Sequence, residues 1–222
     1  MRKKSKSKVT FCPATTHILN VMLKKLLKIL LVLILLIAIG AGYLYFRLHN
    51  NIENVLEAKN DWRSEVLEFP LIFAGDLDYE GEEHIRFAPG WGETNTEDYF
   101  SYVFLWVLEE NPTLNERVLE NIMNIYFDGL MNTGAITNFS FFKDIPETQS
   151  LIQKIEDNHY NGSIKLYDEF FAKDMITLNA NIKYEYCNAR KKHLVWFYLS
   201  PKETNHPIWN QLKEVHLNIE CQ

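Results

Sequence analysis

The run Ile29–Phe46, ILLVLILLIAIGAGYLYF, holds eighteen residues without a charge, and it constrains the chain more than any other stretch. Coiled as a helix it is about 27 Å long, close to the roughly 30 Å hydrocarbon core of a bilayer. From Ile29 to Ile39 only Ala38 departs from Leu, Ile and Val. Near mid-bilayer such residues each favour insertion by roughly 0.3–0.6 kcal/mol, on the order of 4 kcal/mol for the run. Tyr43 and Tyr45 stand where an interfacial aromatic belt would be. The reading is a transmembrane helix or signal-anchor over residues 29–46.

Its flanks set the orientation. Lys24, Lys25 and Lys28 abut one end, whereas Arg47 and then acidic sequence follow the other. The positive-inside rule places a basic tail, residues 1–28, in the cytoplasm and the C-terminal part in the periplasm or outside the cell. A cleaved signal peptide is the alternative, because AIGAG offers small residues after the apolar core. The retained anchor is favoured because the apolar run continues through Phe46. Met22 opens MLKKLLKILLVLILL, a complete short signal-anchor, so Met1–Val21 reads as an over-extended start or a tail.

Charge excludes one class of partner. After Arg47 come 14 Lys and Arg against all 29 Asp and Glu, a net of −15. A domain that acidic is repelled by phosphate backbones, so nucleic acid is excluded. The membrane, through the N-terminal helix, is the partner the sequence indicates directly.

Residues 47–61 read as a juxtamembrane linker or short helix, with Ile52, Val55, Leu56 and Lys59 on one helical stripe. Residues 62–222 read as one extracytoplasmic domain. WRSEVLEFPLIFAG is extended, with Pro70 marking an edge or bulge. YFSYVFLWVLEE is apolar on both faces, as a doubly buried strand is. Thr113 and Glu116 form a capping box opening a helix over Asn111–Asn132, with Gly134 separating it from AITNFSFF, read as a strand. PETQSLIQKIEDNHYNGS reads as a polar loop carrying one short element. GSIKLYDEFF, TLNANIKYEYC and LVWFYLS read as strands, Pro207 opens a last helix, and LNIEC alternates. The fold class is α+β, a mostly antiparallel sheet with helices packed on one side.

The stretch FAGDLDYEGEEHIRFAPGW carries the ligand-binding candidates Asp76, Asp78, Glu80, His84, Arg86 and Trp91. Asp76, Asp78, Glu80 and Gly81 match positions 1, 3, 5 and 6 of a calcium loop, but position 12 is Phe87, which removes the bidentate carboxylate. A solvated acidic loop is the simpler reading. His84 beside Glu83 lacks the second histidine of a zinc-protease helix. Five histidines, His84, His159, His193, His206 and His216, are too dispersed to imply a metal. No nucleophile elbow or phosphate loop is present, and no cofactor or catalytic residue is indicated. Arg86, between Ile85 and Phe87, is placed to pair with a neighbouring carboxylate, with anchoring of an anionic ligand as the alternative.

Cys187 and Cys221 are the disulfide candidates. Bridged, they would close a loop worth roughly 3–4 kcal/mol in chain entropy; two buried free thiols are the alternative. Aromatics cluster at Trp91, Tyr99, Phe100, Tyr102, Phe104 and Trp106 and again at Trp196, Phe197 and Tyr198. They build either a core or a half-exposed sheet face suited to a partner.

FPLIFAGDLDYEGEEHIRFAPGW, YFSYVFLWVLEE and SPKETNHPIWNQLKEV with its late cysteine resemble a family of uncharacterised bacterial membrane-anchored or periplasmic envelope proteins. The resemblance implies a bacterial exported domain and transfers no activity. The expectation is a membrane-anchored extracytoplasmic domain that binds a protein partner or small envelope ligand without catalysis. The alternative is an envelope hydrolase with its site near Asp76–Trp91.

Overall fold

The computed structural model describes residues 13–48, 52–140 and 143–221, with side chains of the first segment described from 22 to 42. The chain divides into two units, Met1–Asn51 and Ile52–Gln222.

The first unit is the helix α1 (Pro13–Leu48). Its apolar side chains from Met22 to Ile39 stand more than half exposed on every side of the helix. Among the described residues no helix is long and apolar enough to cross a membrane. Residues 43–46 of the expected span lie outside the described side chains.

The second unit is α+β. Its elements are β1 (Leu56–Glu57), β2 (Arg63–Glu68), β3 (Gly81–Phe87), β4 (Tyr102–Leu108), α2 (Glu116–Thr137), β5 (Gln149–Glu156), β6 (His159–Tyr167), β7 (Met175–Cys187), β8 (Lys192–Ser200), α3 (Ile208–Glu214) and β9 (His216–Leu217). Seven strands form one sheet in the order β2-β3-β4-β8-β7-β6-β5, and β1 pairs with β9 in a second, two-stranded sheet. Every pairing is antiparallel. The β2–β4 meander runs from one edge to the sheet centre, α2 carries the chain to the far edge, and the β5–β8 meander returns it to pair with β4.

Strand alternation sorts the side chains into two layers. Tyr102, Phe104, Trp106 and Leu108 of β4 join Phe197, Ile182 and Ile164 beneath Leu119, Met123, Tyr126 and Phe127 of α2. Val103 and Leu105 point the opposite way, with Leu194 and Trp196, under Ile208, Trp209 and Leu212 of α3. The helices therefore cover opposite faces, not one side. β4 is apolar on both because both are covered.

Other expectations change. Residues 56–57 are extended and paired, because Leu56 inserts into the layer under α3 and its backbone binds β9; residues 49–51 lie outside the described set. α2 is capped by Asn115, whose Oδ1 accepts the Val118 amide at 3.0 Å, two residues beyond the expected Thr113. The helix runs past Gly134, which lies against the Phe170 ring where a Cβ would stand 3.0 Å from it. AITN thus completes α2 rather than opening a strand. The segment expected to be a polar loop is the β5–β6 hairpin, turned at Asn158 with φ 61°.

The outer edge is guarded. Glu120 and Asp128 of α2 accept the Ile152 and Thr148 amides of the β5 edge at 3.0 and 2.7 Å, capping groups that would otherwise recruit another strand. At the opposite end of β7, Cys187 is disulfide-bonded to Cys221.

Candidate functional site

The six residues singled out in the sequence scatter. Asp76, Asp78 and Glu80 are exposed on the segment joining β2 to β3. His84 and Arg86 lie on β3, on the face turned from α2. Arg86 Nε donates to the Leu56 carbonyl at 2.9 Å, so its role is to tie β1 to β3. Trp91 packs with Phe87, Phe100 and Phe171 at centroid distances of 4.5, 5.6 and 4.8 Å.

His84 and Glu80 do share a groove of about 500 Å³, with Glu68, Glu82, Glu109, Arg190 and Lys192. The imidazole is fully buried at its base. Its Nδ1 accepts the Val55 amide at 3.4 Å and its Nε2 bonds Glu82 Oε2 at 3.0 Å. With Nδ1 an acceptor, Nε2 carries the hydrogen and donates. Both nitrogens are occupied, leaving no lone pair to take a proton from a nucleophile or water. Desolvation lowers the imidazole pKa to about 4. Burial, then Glu68, raises that of Glu82, while Lys192 opposes the rise.

Glu83 points the other way, into the layer beneath α2, with no exposure. Trp106 Nε1 donates to its Oε2 at 2.7 Å and Tyr126 hydroxyl meets Oε1 at 2.8 Å. Burial raises the carboxyl pKa to about 7, with these two hydrogen bonds pulling it down. A carboxyl closed to solvent touches no substrate.

A second groove, about 530 Å³, opens on the face turned from α2, between β6–β8 and the Val215–Leu217 segment. Trp196 and Tyr198, two apart on β8, project to the same face with rings parallel within 8° and centroids 5.8 Å apart. The Trp196 indole donates to Glu185 at 2.7 Å, which fixes the ring. Lys183, His159 and His216 add further polar groups to the lining. His159 is bound by Glu156 at 3.1 Å and Asn181 at 2.6 Å. Trp196 is only 7% exposed, so the half-buried Tyr198 supplies the aromatic surface of this groove beside its donors and acceptors, and its acids, Glu156, Asp157 and Glu185, outnumber its one lysine. It suits a neutral or cationic ligand and repels an anion.

The sequence offered one signal for it, the recurrence of Trp196, Phe197 and Tyr198. Alternation then separates Phe197, in the layer beneath α2, from Trp196 and Tyr198 on the opposite face. The contributions of Lys183, Glu185, His159 and His216 come from strand register and were not visible in the sequence. Among the described residues no group of three or more His, Cys, Asp or Glu side chains is placed to hold a metal ion. Comparison with protein-family models, with curated proteins and with solved structures finds no match.

Proposed function

We propose that the chain is a membrane-anchored extracytoplasmic binding domain that takes a small, neutral or cationic, hydroxyl-bearing envelope ligand in the Trp196–Tyr198 groove and performs no chemistry on it. The half-buried Tyr198 ring, backed by the parallel Trp196, carries the reading, because an aromatic face beside polar side chains binds the apolar face and hydroxyls of one ligand together. His84, the best placed general base of the alternative hydrolase, has both nitrogens engaged.

Anchoring has its own support. An apolar helix exposed on all sides needs a cover, and lipid is the cover its composition suits. The three lysines before Ile29 suit a cytoplasmic start. The Cys187–Cys221 disulfide favours an oxidising compartment for Ile52–Gln222.

The test is a titration of the full chain in detergent, read by tryptophan emission, with a neutral N-acetylglucosamine oligomer and with polyphosphate. Saturable binding of the oligomer, weakened roughly two- to tenfold by Tyr198→Leu, is expected, since lost aromatic stacking is worth about 0.5–1.5 kcal/mol. No oligomer binding at millimolar concentration, or binding indifferent to Tyr198→Leu, overturns the reading.

A further inference from the structure

Consecutive residues of β3 bury an acid and a base on opposite faces of the sheet, Glu83 towards α2 and His84 away from it, neither exposed. We infer that the folded domain holds both uncharged, so that folding in mildly acidic solution moves one proton from the His84 imidazole to the Glu83 carboxyl and keeps their joint contribution to stability level. Nothing in this depends on the ligand groove.

The surroundings of Glu83 argue for the neutral acid. From β4 it faces Tyr102 and Trp106, from α2 Tyr126, from the preceding segment Tyr79, and from β2 Glu65 and Arg63. The Arg63 guanidinium stacks over the Phe87 and Trp91 rings, at 5.9 and 5.5 Å, not on the carboxyl. A carboxylate here has two neutral donors and, among the described residues, no cation paired with it, and desolvation favours its protonation. Both hydrogen bonds survive, since the neutral acid accepts from the Trp106 indole and donates to the Tyr126 oxygen.

The surroundings of His84 argue for the neutral base. The Val55 amide points its hydrogen at Nδ1, so protonating that nitrogen would set two hydrogens face to face. Charges on this side are mixed: Glu82 and Arg86 on β3, Glu68 on β2, Glu80 and Glu109 at the rim, Arg190 and Lys192 from the β7–β8 end. Glu82 favours the imidazolium; burial opposes it and prevails, as the pKa of about 4 reflects.

Unfolded, the two groups titrate near their ordinary values, 4.5 and 6.5. The raised acid contributes stability that is full below 4.5 and is lost as pH rises through about 7. The depressed base contributes stability that is full above 6.5 and is lost as pH falls through about 4. Between 4.5 and 6.5 the unfolded chain carries the proton on His84 and the folded chain carries it on Glu83. One N–H bond is given up and one O–H bond is made, with solvent as carrier and no net uptake. Each slope alone changes the unfolding constant about tenfold per pH unit, and the two are opposite.

Single variants unmask the halves. Denaturant unfolding of the full chain in detergent is followed from pH 4.5 to 6.5 for wild type, Glu83→Gln and His84→Gln. Relative to wild type, the unfolding constant of Glu83→Gln should fall up to about 100-fold across the window, and that of His84→Gln should rise as much. Ratios that stay flat, or that move in the same sense, overturn the inference. Should either variant not fold, side-chain NMR of the wild type decides. A neutral His84 at pH 5 with a neutral Glu83 at pH 6 supports it, and a charge on either overturns it.

Discussion

The Trp106 indole donates to Glu83 Oε2 at 2.7 Å within a layer closed to solvent, so one strand neighbour supplies half the polar partners of a buried acid. Trp106→Phe removes that donor and leaves an apolar ring of related shape. The loss should be about 1–3 kcal/mol. Removing the bond raises the Glu83 pKa further, so the loss should be larger at pH 8, where the charged form is demanded, than at pH 5. Denaturant midpoints at both values check this; an equal loss contradicts it.

At Gly129, α2 lies so near the segment before β3 that a Cβ would stand 1.8 Å from the Phe73 carbonyl oxygen. Gly129→Ala must push the helix from the segment before β3 and should cost about 1–3 kcal/mol or more. Gly75, on the same segment, has nothing within 4 Å of a Cβ. Gly75→Ala should stay within about 0.5 kcal/mol of wild type. Comparable melting temperatures for the two variants would refute the close packing.

The Cys187–Cys221 bridge ties the end of β7 to the C-terminal segment across a separation of 34 residues, and the Asn188 amide bonds the Cys221 carbonyl at 3.1 Å. Loop-closure entropy sets its worth at about 3–4 kcal/mol. Urea unfolding with and without reductant, and of Cys187→Ser with Cys221→Ser, should show that loss in both cases. Unchanged midpoints would mean that the tail is held by its contacts alone.

Much of the fold was legible. β4 and β8 announced themselves as apolar runs because both faces are covered, and β7 as an alternation because one face is solvated. β3 was hidden: GEEHIRF places charged residues on both faces, and the partners Trp106, Tyr126 and Val55, distant in sequence, help make Glu83 and His84 tolerable inside. β5 was hidden because Leu151 and Ile155 on its exposed face blur the alternation around buried Ile152. Gly134 looked like a helix stop because its reason, the Phe170 ring, lies in another element. The groove was legible only through Trp196 and Tyr198, since its other walls are assembled by register.

The central reading, a lipid-held exported domain, is tested most directly by where the full chain resides and which side its domain faces. Membranes are washed with carbonate, and protease is then added to spheroplasts from cells expressing the chain. The protein is expected to stay with the membrane, and cleavage ahead of Ile52 is expected to release the Ile52–Gln222 unit with its cysteines bridged. Full-length protein in the soluble cytosolic fraction, with both cysteines reduced, would contradict it.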